Sequence, residues 1–98
     1  MEDSMRRENK VVVYTTPNCP FCVLTKRYLT QQNVRFEEKD VSRDVEAAQE
    51  MIFISRQTGT PVTKINGNVV IGFDPPRLNY FLGIPTPTPQ TSAIAQEK

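Results

Sequence analysis

The stretch "KVVVYTTPNCPFCVLTKR", residues 10–27, carries the reading of the fold and most of the chemistry. Lys10 to Thr15 hold three consecutive valines and a tyrosine, a short β-branched run that predicts a strand buried on both faces of a sheet. Thr16, Pro17 and Asn18 break that strand. Pro20 suits the first position of a helix, because its missing N–H needs no partner there. From Pro20 to about Gln32 the apolar residues Phe21, Leu24, Tyr28 and Leu29 recur at helical spacing, which predicts one inward face.

The only two cysteines of the chain, Cys19 and Cys22, fall on this strand-to-helix boundary. A structural zinc site wants four Cys or His ligands, and the chain has no histidine, so a closed site needs two chains sharing both pairs. A permanent disulfide across a two-residue spacer gains little loop-closure stabilisation and does not suit a reducing compartment. Two inert core thiols are the bland alternative. A redox pair fits the local physics better. The free N–H groups and dipole at the helix start stabilise an anion on Cys19, shifting a thiol from about 8.5 towards neutrality, where the nucleophilic thiolate prevails. Cys22, one turn inward, is placed to resolve a mixed disulfide on Cys19. A C-x-x-C that follows a strand and opens a helix near a βαβ unit is a strong signal for this chemistry.

Downstream, "NVRFEEKDV", residues 33–41, alternates in its first half, Val34 and Phe36 against Arg35 and Glu37, and predicts a second, less buried strand. A second helix is expected from Arg43 to about Arg56, capped by Ser42, with Val45, Ala48, Met51 and Ile52 inward. "PVTKI" and "NVVIG" flank Asn66-Gly67, the strongest short-range hairpin signal. Asp74 before Pro75 marks a last helix with Leu78, Phe81 and Leu82 as its apolar stripe. The order strand–helix–strand–helix–hairpin–helix predicts an α/β domain of about four strands in a mixed sheet, flanked by helices, with a right-handed first crossover. Residues 10–84 form that domain, between a flexible segment at 1–9 and a Pro/Thr-rich disordered tail at 85–98.

Composition narrows the function classes. A net charge of +1 over 98 residues gives no electrostatic case for nucleic acid or a membrane surface. No apolar run reaches the roughly 18 residues of a membrane span, and "MEDSMRRENK" has no apolar core of a secretory signal, so a cytoplasmic location is expected. The absence of histidine removes Ser-His-Asp and Cys-His sites, leaving the thiols as the main reactive groups.

"VVVYTTPNCPFC", residues 11–22, resembles the first strand and active site of glutaredoxins, with Phe21 where their usual C-P-Y-C has tyrosine. Thr25 to Arg27, together with Gly72 to Pro75, are more similar to NrdH-type redoxins, glutaredoxin-like proteins that supply electrons to a class of ribonucleotide reductase. The resemblance covers about residues 10–84 and implies a thioredoxin-like fold of glutaredoxin type, β-α-β-α-β-β-α. It implies a cis bond between Thr60 and Pro61, whose preceding backbone pairs with a bound thiol substrate. It places Gly72, Phe73 and Asp74 in a loop facing the active site across a groove, with Pro20 and Phe21 beside the cysteines. Asp74 also reads as the cap of the last helix, and Phe73 also reads as a core residue.

The two halves of the resemblance imply different electron donors. Glutathione-linked members usually have a lysine where this chain has Thr16, and a different element where it has Gly72-Phe73-Asp74-Pro75. Both departures weaken a glutathione site, although Arg56 and Gln57 offer polar groups to a charged tripeptide. The NrdH group usually has other residues between its cysteines, and an arginine where Asp74 stands. The expectation is a small monomeric enzyme that reduces protein or glutathione mixed disulfides, with thioredoxin reductase favoured over glutathione as donor. No cofactor is expected to be tightly bound, and glutathione would be a co-substrate. The alternative is a dimeric module holding an iron–sulfur cluster or metal through Cys19 of each chain. Pro20 stands against it by resemblance, since cluster-binding members usually carry glycine there.

Overall fold

The computed structural model describes residues 9–84. The tail expected at 85–98, and all but Asn9 of the flexible segment expected at 1–9, lie outside the described residues. Seven elements follow in the expected order: β1 (Val11–Thr15), α1 (Pro20–Gln31), β2 (Glu37–Asp40), α2 (Val45–Ser55), β3 (Val62–Ile65), β4 (Asn68–Ile71) and α3 (Pro75–Leu82). They build a four-stranded sheet in the order β2-β1-β3-β4. β1 runs parallel to β2 and antiparallel to β3, and β3 and β4 form an antiparallel hairpin.

All five residues of β1 are buried, as a central strand demands. Val11 and Val13 face one core with Leu29 of α1 and Leu78 and Leu82 of α3. Val12 and Tyr14 face the other, with Ala47 and Met51 of α2. Helices therefore cover both sides of the sheet. Each fully buried aliphatic side chain contributes about 1.5–3 kcal/mol by leaving water. Truncating Leu29, which is fully buried, would cost about 2–5 kcal/mol in lost burial and cavity formation.

The hairpin turns through Asn66 (φ 53°) and Gly67 (φ 97°), both at positive φ, which suits the twist of a two-residue connection. Asp74 caps α3, its carboxylate accepting from the Arg77 N–H at 3.2 Å. Leu78 and Leu82 are buried and Phe81 packs against them.

Four expectations are corrected. The second strand is Glu37–Asp40 rather than a strand starting at residue 33. The Val34 N–H is still held by the Leu29 carbonyl at 2.9 Å, and Asn33 sits at φ 60°, so the chain is leaving α1 there. Val34 and Phe36 pack half-buried against the core before pairing begins. The charged strand persists because its side chains find partners on both faces: Glu38 meets Lys26 at 2.8 Å, and Lys39 meets Glu50 at 3.5 Å.

The cap of α2 is Asp44, whose carboxylate accepts from the Ala47 N–H at 3.0 Å. Ser42 instead bonds the Asp40 carboxylate through its N–H and hydroxyl, which makes it part of the preceding turn. This cap sets the phase of the helix. Ala47, Met51 and Ser55 are buried, while Val45 is 71% exposed and Ile52 43% exposed, contrary to the expected stripe. Of the four residues expected inward, Met51 is buried and Ala48 half-buried.

In α1, Leu29 is buried and Tyr28 half-buried as expected, but Phe21 is 58% exposed and Leu24 is exposed too. The inward face is Cys22, Thr25 and Leu29. Thr25 is accommodated there because its hydroxyl donates back to the Phe21 carbonyl at 2.9 Å.

Candidate active site

The chain leaves β1 through Thr16-Pro17-Asn18, and Asn18 adopts the left-handed conformation at φ 62°. Asparagine tolerates this region better than most residues, because its short polar side chain bonds locally. The turn delivers Cys19 to the cap position of α1, in extended conformation (φ −114°, ψ 104°), with Pro20 as the first helical residue. The thiol thus occupies the place normally taken by a capping oxygen. Its sulfur accepts the Cys22 N–H at 3.2 Å.

A second element closes on this sulfur from the other side. The Thr60–Pro61 peptide bond is cis, as the resemblance implies. Thr60 brings its hydroxyl to 3.6 Å from the Cys19 sulfur, and its carbonyl lies 3.8 Å away. The Thr16 and Thr60 hydroxyls are 3.1 Å apart, joining the strand end to the Thr60 segment. The two thiols are free; Cys19 is half-buried and Cys22 is 1% exposed.

These surroundings separate the two sulfurs electrostatically. Partial burial pulls the Cys19 pKa upward. Hydrogen bonds from the Cys22 thiol, the Thr60 hydroxyl and the N–H groups of Cys22 and Phe21 outweigh it and leave Cys19 below the ordinary thiol value. Burial, followed by the neighbouring Cys19 sulfur, pushes Cys22 up. A half-buried sulfur biased towards thiolate thus sits beside a fully buried one biased towards thiol. That is the charge arrangement required for nucleophilic attack followed by internal displacement.

The groove wall is tied to the same end. The Pro61 carbonyl accepts the Gly72 N–H at 2.8 Å, drawing the β4–α3 loop alongside the cis bond. Gly72 takes φ 80°, a conformation L side chains rarely adopt. Phe73 is half-buried and meets the Tyr28 ring edge-on, with centroids 6.2 Å apart. The Asp74 carboxylate is engaged by Arg77, through its N–H at 3.2 Å and its guanidinium at 3.4 Å.

The structure therefore brings Cys19, Cys22, Thr60 and Pro61 together, with Gly72 bonded to Pro61. Pro20 and Phe21 are exposed on the first turn of α1. Asp74 takes its capping role. Sequence reasoning missed the hydroxyl pair of Thr16 and Thr60 and the positive φ of Asn18. An asparagine directly before a cysteine at a helix start was a legible signal for the latter. Arg56, at φ 62°, is the left-handed cap ending α2, and the Gln57 carboxamide is spent within its own loop, on Ser55 and Gly59. Among the described residues no three His, Cys, Asp or Glu side chains cluster as metal ligands. Among them too, no helix is long and apolar enough to cross a membrane.

A central strand followed by a cysteine-capped helix, with a cis-proline segment against the sulfur, defines a thioredoxin-like fold of glutaredoxin type. The glutaredoxin family model matches residues 11–70. A glutaredoxin-like 8.6 kDa protein of the rubredoxin operon of Clostridium pasteurianum, itself uncharacterised, is 38% identical over 72 residues, covering 74% of this chain and 96% of the relative. The crystal structure of a thioredoxin-like protein matches at 40% identity and a TM-score of 0.71, over 74% of this chain and 100% of its own. NrdH-redoxin from Escherichia coli matches at 28% identity and a TM-score of 0.68, over 80% of this chain and 99% of its own. The chain belongs to the glutaredoxin family. Fold and family together support a role of thiol–disulfide oxidoreductase type.

Proposed function

We propose that this chain is a monomeric cytoplasmic dithiol–disulfide oxidoreductase that reduces protein disulfides through Cys19 and Cys22. The observation that carries the reading is the Cys22 N–H aimed at the Cys19 sulfur, which stabilises negative charge on the more accessible thiol. The Cys19 thiolate attacks one sulfur of the target disulfide, forms a mixed disulfide and expels the other sulfur as a thiolate. Cys22 then loses its proton and attacks the Cys19 sulfur. The Cys19–Cys22 disulfide forms, and the target leaves with two reduced sulfurs. Two electrons have passed from the enzyme to the target. Pro20, Phe21, Thr60, Pro61, Gly72, Phe73 and Asp74 would line the groove around the attacked disulfide.

Thioredoxin reductase is the favoured donor of the two electrons that restore the dithiol, over glutathione as a co-substrate. Thr16 supplies no cation for a glutathione carboxylate, and its hydroxyl faces Thr60. Among the similar structures, that of NrdH-redoxin is described as having a thioredoxin-like activity profile.

Two experiments test the reading. Cys19→Ser should abolish reduction of a protein disulfide, and Cys22→Ser should accumulate a mixed disulfide visible by non-reducing mass spectrometry. Full activity in Cys19→Ser would overturn the assignment. NADPH consumption with thioredoxin reductase alone, compared with glutathione plus glutathione reductase, separates the donors. Turnover confined to the glutathione arm would reverse the choice of donor.

A further inference from the structure

Tyr28 lies on α1, the helix that opens between the two cysteines, but well beyond the sulfurs. Its ring stands edge-on to Phe73, at 6.2 Å and 74°. Its hydroxyl donates to the carboxamide oxygen of Asn79 on α3. Asn79 is 1% exposed, and its side-chain nitrogen has no partner among the described residues. A polar side chain is seldom kept at such depth with half its bonding capacity unused, because each unsatisfied group costs about 1–3 kcal/mol. An apolar residue at this position would simply fill the core between α1 and α3. The carboxamide therefore has a use that core filling does not explain, and what it visibly does is fix the Tyr28 hydroxyl.

Fixing that hydroxyl fixes the ring, and the ring bears on the loop. Phe73 lies between Gly72, whose N–H is held by the Pro61 carbonyl at 2.8 Å, and Asp74, which caps α3. The loop backbone is thus pinned at both ends, and the side chain between them is steadied by Tyr28. We propose that Tyr28, locked by Asn79, is a positioning residue that sets Phe73 for contact with the protein carrying the target disulfide. The proposal rests on the oxidoreductase reading above. It assigns Tyr28 an effect on how tightly a protein target is held, without a part in the thiol exchange.

The test uses the full chain, fully reduced, mixed with varied concentrations of insulin as the protein disulfide. Single-turnover formation of the Cys19–Cys22 disulfide is read by mass spectrometry, giving a maximal rate and a half-saturating concentration. Tyr28→Leu should raise the half-saturating concentration by about three- to tenfold, the worth of one aromatic edge contact, at an unchanged maximal rate. Its rate with Ellman's reagent, too small to reach the loop, should stay at the wild-type value. Phe73→Leu should raise the same concentration, and the double variant should be no worse than the weaker single one. Tyr28→Phe, which keeps the ring and frees the Asn79 carboxamide, should give a smaller rise in the same direction, and it serves if Tyr28→Leu does not fold. Lowered thermal stability with an unchanged half-saturating concentration would make Tyr28 a core residue only, and the proposal would fall. Additive effects in the double variant would overturn it as well. Wild-type protein that oxidises with Ellman's reagent but not with insulin would overturn both the positioning role and the reading it rests on.

Discussion

The backbone N–H of Cys22 points at the sulfur of Cys19 across 3.2 Å, so one member of the pair helps hold the negative charge of the other. A serine or aspartate at a helix start accepts the same bond through oxygen. Here the acceptor is a sulfur, and what the bond stabilises is its thiolate.

The Thr60 hydroxyl, 3.6 Å from the Cys19 sulfur, is a second donor to that thiolate. The Cys19 pKa lies below the ordinary thiol value, so alkylation of wild type by iodoacetamide should reach half its maximal rate at a lower pH than a free cysteine. Thr60→Val keeps the shape and removes the donor. Its profile should move up in pH, with the rate at pH 7 falling roughly two- to tenfold. Coincident profiles for the two proteins would remove Thr60 from the electrostatics of the site.

Glu50 joins α2 to the sheet, meeting Lys64 at 2.9 Å and Lys39 at 3.5 Å beneath the buried Tyr14. The Lys64 ammonium, bonded to it directly, holds its carboxyl down at about 2. A folded pKa below the unfolded one gives stability that is present above about pH 4.5 and is lost as pH falls towards 2. The side chain is 36% exposed, so solvent screening reduces the contribution to about 1 kcal/mol. Urea unfolding at pH 6 and pH 3 should therefore show a larger loss for wild type than for Glu50→Gln.

Gly67 takes φ 97° in the hairpin turn, and a Cβ placed there would meet nothing within 4 Å. Gly67→Ala then isolates backbone strain from crowding. The variant should lose about 1–2 kcal/mol in urea unfolding, with Cys19 alkylation unchanged.

Asp74 accepts the Arg77 N–H at the start of α3. Asp74→Ala should cost about 1 kcal/mol of stability in thermal or urea unfolding, within the range for lost caps, and Asp74→Asn should recover most of it. An equal loss in both variants would point to the negative charge rather than the capping oxygen.

What the sequence made legible, and what it hid, follows from how many alternatives each pattern allows. The valine run of β1, the Asn66-Gly67 turn and the Asp74-Pro75 start each admit one local structure, and each is found where expected. α2 carries apolar residues on more than one side, so spacing alone could not fix its phase. Asp44 fixed it, turning Ala47 and Met51 inward and Val45 and Ile52 outward. β2 is confined to the second half of the expected stretch for a different reason: its pairing with β1 is a backbone matter, and Lys26 and Glu50 supply the tertiary partners of its charged side chains. The place of both cysteines at the start of α1 was readable from position alone. The approach of Thr60 to Cys19 depends on segments 41 residues apart, which no local pattern reports; the family resemblance anticipated the cis bond after Thr60 but not this contact.

β2 also lies at one margin of the sheet, with four consecutive charged residues, Glu37 to Asp40. A stray strand seeking backbone partners there would have to strip water from carboxylates and an ammonium before its first hydrogen bond formed. The charges that keep this strand exposed to water act as a barrier against edge-to-edge aggregation on that side.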